Sequence, residues 1–192
     1  MSDEVTVLVE RTLRAAIGGE PQRASVTFVG VEPIDVLRFV HGDELVFATV
    51  GCARHPMGDP ADLLADPDRG PRAELVVRMR ASGPLRGLHR TLATVAAAPA
   101  VEGLVLTPDA LLDIGETAWE GSSFSAFLLA EDTVGPCVLA EPREAVQFLR
   151  AVPITANEAA WVRLKGAEAL RQAWDEAGID DTDPNRASAN PR

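Results

Sequence analysis

The sequence predicts an α+β fold, a mixed and largely antiparallel sheet flanked by helices, and three observations predict it. Helical periodicity is confined to the N-terminus, residues 84–98 and the stretch after Thr155. Between these, Val- and Phe-rich segments come in runs separated by short turn signals. Strands therefore do not alternate regularly with helices, and a doubly wound parallel sheet is not expected. At 192 residues, with 46% hydrophobic and 24% charged residues, the chain has the size and composition of one globular domain. That domain is placed at 1–178, followed by a disordered polar tail at 179–192.

The first helix is expected from Glu4 to Ile17, because Val5, Val9, Leu13 and Ile17 repeat every four residues, Ser2 can cap the start and Gly18-Gly19 stops it. Three strands follow at 24–31, 35–40 and 45–51, divided by Glu32-Pro33 and by His41-Gly42-Asp43, the second of which suits a hairpin turn. From Cys52 to Pro71 the composition shifts to Pro, Gly, Asp and Ala, which predicts a surface loop with a short helical turn at 60–65. In "RAELVVRMR" (72–80), Ala73, Leu75, Val77 and Met79 alternate with Arg72, Glu74, Arg78 and Arg80, so one side of that strand is expected to face water.

A second helix is read over 84–98, with Pro84 in its first turn and Pro99 as its stop. Short strands and turns occupy "GLVLTPDALLDIGE", and "FSAFLLA" (124–130), "PCVLAE" and "EAVQFLRAVPI" read as further strands. Thr155-Ala156-Asn157-Glu158 is a capping box that opens a last long helix, with Trp161, Leu164, Ala167, Leu170 and Trp174 as its apolar stripe and Gly178 as its end.

Composition excludes several function classes. A formal charge of −11 and a single lysine, Lys165, argue against a nucleic-acid binder, whose affinity rests on cations that neutralise phosphates. The acidic N-terminus lacks the basic region of a signal peptide, and no apolar run reaches the ~20 residues of a membrane span, so a cytoplasmic protein is expected. Two cysteines, Cys52 and Cys137, are too few for a disulfide scaffold or a thiolate-rich zinc site. Neither a dinucleotide fingerprint, a P-loop nor a Gly-x-Ser-x-Gly elbow occurs. No cofactor or metal is expected.

The most chemically suggestive stretch is "GCARHPMGDP" (51–60), where Cys52 and His55 lie three positions apart. They read either as a nucleophile with its base, as part of a metal site, or as a packed cysteine ending a strand before a loop. The histidines, His41, His55 and His89, fall singly in a turn, a loop and a helix, which does not assemble a ligand set. The acids Asp59, Asp62, Asp66 and Asp68 read as solvated loop carboxylates, since 29 acidic residues make chance pairs inevitable. Trp119, among polar residues in "ETAWEGSSF", reads as a binding anchor or as a lid on the core.

Four stretches taken in order resemble the suppressor-of-fused domain: "VFATVGCARHPMGDP" (46–60), "GPRAELVVRMR" (70–80), "LHRTLATV" (88–95) and "VQFLRAVPITANEAAWVRLKGAEALRQAW" (146–174). The family's pattern is a hydrophobic strand running into a Val-Pro-Ile-Thr-x-x-Glu helix start, then a glycine such as Gly166; the resemblance covers about residues 25 to 178. It implies a mixed α/β domain without catalytic activity that binds another polypeptide. Eukaryotic members clasp an extended peptide with the help of a second domain, and many bacterial members are thought to be immunity proteins that block toxins. Phe47 and Asp59 fall where the family's peptide-facing aromatic and acidic positions align. The resemblance carries over these two residues only; the loop acids Asp62 and Asp66 and the isolated aromatic Trp119 join them in an expected partner-binding set, facing a protein partner such as a basic toxin. The other readings are a cysteine enzyme using Cys52 and His55, and a housekeeping interaction domain with a non-toxin partner.

Overall fold

Val5, Val9, Leu13 and Ile17 form the buried stripe of helix α1 (Ser2–Ile17) in the computed structural model, which describes residues 2–58 and 66–189. Ser2 is the first helical residue and not the cap before it. Strands β1 (Gln22–Phe28), β2 (Val31–His41) and β3 (Glu44–Val50) then run as an antiparallel meander. The first break falls at Val29-Gly30, whose glycine has φ 78°, and not at Glu32-Pro33, which lie inside β2. The second is the expected hairpin: His41 pairs with Glu44, and Gly42 takes φ 61° at the first central position, where a side chain would be strained.

Strand β4 (Arg72–Arg80) leads to helix α2 (Leu88–Glu102), then to β5 (Leu111–Asp113), β6 (Phe124–Glu131) and β7 (Val146–Thr155). Helix α2 starts four residues later than the sequence suggests, with Gly87 as its cap, and Pro99 lies inside its final turn. The "PCVLAE" segment makes one bridge, Cys137 to Val146, in place of a strand. The last long helix is two: α3 (Ala156–Lys165) and α4 (Ala167–Ala177), divided at Gly166, whose φ of 88° no helix can accommodate.

The sheet order is β1-β2-β3-β4-β7-β6-β5, antiparallel throughout except for the parallel pair β4–β7 at its centre. Helix α2 packs Leu88, Leu92 and Ala96 on one face, against Val36, Phe47, Leu75 and Phe127. On the other face α1 packs on Leu37, Val46 and Val76, while α3 and α4 cover Leu128, Val152 and Ile154. Helices on both faces explain why β4 departs from expectation. The polar side of its first half is also buried, with Glu74 fully inaccessible and Arg72 2% exposed, while Arg78 is half-buried and Arg80 faces water.

Beyond Ile179 the sequence suggests a free tail, yet residues 180–189 run back along the domain. Arg80 N–H donates to the Thr182 carbonyl, and Arg186 is buried against Glu158, with which it pairs at 2.7 Å. The Arg186 guanidinium lies over the Phe124 and Trp174 rings and donates to the Pro153 carbonyl at 2.9 Å. An arginine that finds a carboxylate, a carbonyl and two aromatic faces anchors a segment whose composition alone predicts disorder.

Candidate functional site

The stretch that opens at Gly51 leaves β3 through a backbone conformation that only glycine adopts easily, φ 134°. A Cβ at this position would lie 2.8 Å from an Arg54 guanidinium nitrogen and 3.2 Å from the Pro33 carbonyl. Cys52–Arg54 then form a single 3-10 turn. Such a tight turn leaves backbone N–H and C=O groups without partners in their own segment, and most of them are buried.

Two charged residues of β4 satisfy them. The Glu74 carboxylate accepts hydrogen bonds from Gly51 N–H at 2.7 Å, Ala53 N–H at 3.0 Å and Cys52 N–H at 3.3 Å, and from the Thr49 hydroxyl at 2.6 Å. Arg72 donates to the Ala53 and Arg54 carbonyls at 2.9 and 2.8 Å and to the Asp68 carbonyl at 3.2 Å. Residues two apart on a strand share a face, so β4 offers an anion to the donor side of the turn and a cation to its acceptor side. Burial pushes the Glu74 carboxyl above its ordinary range, while Thr49 and the three N–H groups pull it back. Because all four partners donate, the cradle fits the ionised form. The loop thus rises from a rigid base.

Cys52 and His55 both line a recess of about 230 Å³ walled by Ile34, Ala96, Ala97 and Pro99. They share a cleft, but they are not prepared as a nucleophile and base. Burial, reinforced by the Glu74 carboxylate, pushes the Cys52 thiol well above its ordinary range, which suppresses the reactive thiolate. His55 turns its Nε2 to Glu32 at 2.8 Å in an exposed pair. Among the described residues no group of three His, Cys, Asp or Glu side chains comes together as a metal would require.

Of the partner-binding residues suggested by the sequence, the structure describes Phe47, Asp66 and Trp119, and two of these three are buried. Phe47 is 5% exposed and lies in the core beneath α2. Trp119 is 6% exposed and packs on Phe124 with ring centroids 5.3 Å apart, so it is a lid on the core rather than an anchor. Neither presents its ring to a partner here. Asp59, Asp62 and the expected turn at 60–65 lie outside the described residues. Asp66 is exposed, and its Oδ1 accepts from Asp68 N–H at 2.9 Å and Arg69 N–H at 3.2 Å. Those backbone bonds hold its carboxyl below the ordinary range, so it stays charged.

Arg72 and Glu74, the residues that organise the site, look in the sequence like the solvated side of an amphipathic strand. Their signal is the polar pair two residues apart at the start of an otherwise apolar strand, following a loop rich in turn-forming residues.

The suppressor of fused protein family matches residues 30–187. A suppressor of fused homologue from Neisseria gonorrhoeae FA 1090, solved at 1.40 Å, superposes with a TM-score of 0.73 at 22% identity, covering 98% of each chain. The Sufu–Fu complex aligns with a TM-score of 0.61 at 12% identity over 97% of this chain and 91% of that one. Drosophila Suppressor of Fused gives a TM-score of 0.61 at 12% identity; 96% of this chain is covered, but only 50% of the Drosophila chain. Among curated proteins none matches.

Proposed function

The chain belongs to the suppressor of fused protein family, and from that premise we propose that it is a non-enzymatic protein-binding domain whose 52–71 loop meets a basic polypeptide. The finer assignment is an immunity or inhibitor protein that neutralises a toxin. One observation carries the reading: the described base of the loop is clamped by Arg72 and Glu74, both buried, in a stretch whose sequence holds Asp59, Asp62, Asp66 and Asp68. A rigid base with a charged rim suits recognition, since preorganised contacts lose less entropy on binding. Asp59, Asp62 and Asp66 are the proposed contact acids, and the chain's charge of −11 favours a basic partner. A relative of the same fold was crystallised as the Sufu–Fu complex, which supports an interaction role.

The test is affinity purification of the tagged chain from its native cells, followed by reconstitution with whatever elutes stoichiometrically. A basic polypeptide whose toxic activity is abolished by an equimolar amount of this protein is the expected result. Recovery of no stoichiometric partner, with or without crosslinking, would overturn the inhibitor assignment.

A further inference from the structure

A recess of about 260 Å³ opens beside the base of the 52–71 loop, and three arginines from separate segments line it: Arg54 of the 3-10 turn, Arg72 of β4 and Arg143 before β7. His55 and Asp68 complete its polar lining. In a chain with 29 acidic and 18 basic residues such a convergence of cations runs against the overall charge.

Arg72 is the informative member. It is 2% exposed, its hydrogen-bond acceptors are three backbone carbonyls, and among the described residues no carboxylate pairs with it. Its Nε is buried without any partner. Arg54 donates to the Pro33 carbonyl and likewise has no carboxylate partner among the described residues. Arg143 gives one nitrogen to Glu4 at 3.0 Å. Burial, and then the nearby Arg143 charge, weaken the hold of Arg72 on its proton, and the carboxylates of Asp68 and Glu144 offset this only in part. A buried charge left uncompensated is costly, and an anion supplied from outside relieves that cost.

We propose that this recess is a binding site for a phosphoryl group, in the form of inorganic phosphate or a small phosphate-bearing molecule. Guanidinium groups approaching from three segments suit a tetrahedral dianion, whose oxygens point in several directions, better than a flat carboxylate. The three carbonyl bonds to Arg72 fix its position before any ligand arrives, so little ordering is needed on binding. The site shares Arg72 and the base of the 52–71 loop with the partner-binding reading but uses none of its contact acids Asp59, Asp62 and Asp66, so the two are tested separately.

Isothermal titration calorimetry of the full chain with inorganic phosphate, at constant ionic strength in chloride, tests it. Saturable binding to one site is expected, weakened roughly tenfold or more in Arg54→Gln and in Arg143→Gln, each of which removes a charge-assisted contact. Both side chains lie outside the bonds that clamp the turn to β4, and tryptophan fluorescence verifies that each variant is folded. Titration with pyrophosphate gives the phosphate-bearing arm, and a tighter fit than inorganic phosphate identifies an extended ligand as the source. Absence of saturable binding of either anion, equal binding of acetate, or affinity unchanged in both variants would each overturn the site.

Discussion

Glu158 accepts hydrogen bonds from the Thr155 backbone and hydroxyl, from Trp174 Nε1, from Ala189 N–H and from both terminal nitrogens of Arg186, all within 3.2 Å. It closes the capping box of α3 and also holds the returning C-terminal segment. Burial raises its carboxyl, but Arg186 and the other donors outweigh that and place it below the ordinary 4.5. A folded-state pKa beneath the unfolded one means that the unfolded chain binds the extra proton, so this contribution is present above about pH 4.5 and is lost as the pH falls through the folded value. Glu74 has the opposite sign, since its carboxyl is raised by burial; its contribution weakens as the pH climbs above 4.5 toward the folded value. Glu158→Gln is expected to destabilise by about 3–5 kcal/mol at neutral pH, because it leaves Arg186 buried without a counter-charge. Urea midpoints at pH 7 and at about pH 3.5 check this. The gap between wild type and variant narrows in acid, and the Glu74 trend cancels because both proteins share it. A gap that is constant across this range would show that the carboxylate charge does not act through Arg186.

At the scale of elements, the division between α3 and α4 rests on Gly166, whose φ of 88° and ψ of 168° turn the chain out of the helix while its N–H still donates to the Val162 carbonyl. A Cβ there meets nothing within 4 Å, so Gly166→Ala isolates the backbone effect. A continuous helix would gain about 1 kcal/mol from that change, whereas the observed conformation loses about 1–3 kcal/mol. The sign of the shift in melting temperature therefore decides between the two. The capping box at Thr155 was legible because it is local chemistry, a hydroxyl and a carboxylate three positions apart. The break after it was not, because Trp161, Leu164, Ala167, Leu170 and Trp174 keep helical spacing across it even though Leu164 ends 74% exposed. The β2–β3 hairpin and the β4 bounds were readable from turn residues and apolar patterning, whereas the break between β1 and β2 falls before Glu32-Pro33, where the sequence places it. What patterning missed was long-range: alternation in β4 says only that two faces differ, while α1, the 3-10 turn and the parallel neighbour β7 are what bury Arg72 and Glu74. The same holds for Arg186, whose carboxylate partner Glu158 and carbonyl partner Pro153 lie 28 and 33 positions away.

Over the whole molecule the acids outnumber the bases, and the internal pairs do not remove the imbalance. Arg14, Arg23, Arg78 and Arg171 each engage two carboxylates, and the chain still carries a net charge of −11. The excess is a long-range field, and a field of this kind acts on encounter more than on the final contact. It is screened over about 8 Å at physiological ionic strength. If the 52–71 loop is where a basic partner docks, replacing Asp59, Asp62 and Asp66 together by lysine should slow association by about tenfold at low salt, in the range that steering supplies. Dissociation should change much less, because charges at the rim of an interface contribute little once contact is made. The fold should be kept, since among the described residues the bonds of the Arg72 and Glu74 clamp go to Thr49, to backbone groups of residues 51–54 and to the Asp68 carbonyl, and the replacement of Asp66 costs only its exposed bonds to the Asp68 and Arg69 N–H groups. Stopped-flow association with the purified partner, repeated from about 0.05 to 0.5 M salt, separates the local from the global effect: the wild-type rate falls steeply with salt, the variant rate falls less, and the two converge as screening shortens the reach of the field. Parallel salt slopes with equal rates would place the docking surface elsewhere on the acidic body and leave the loop with a purely structural base.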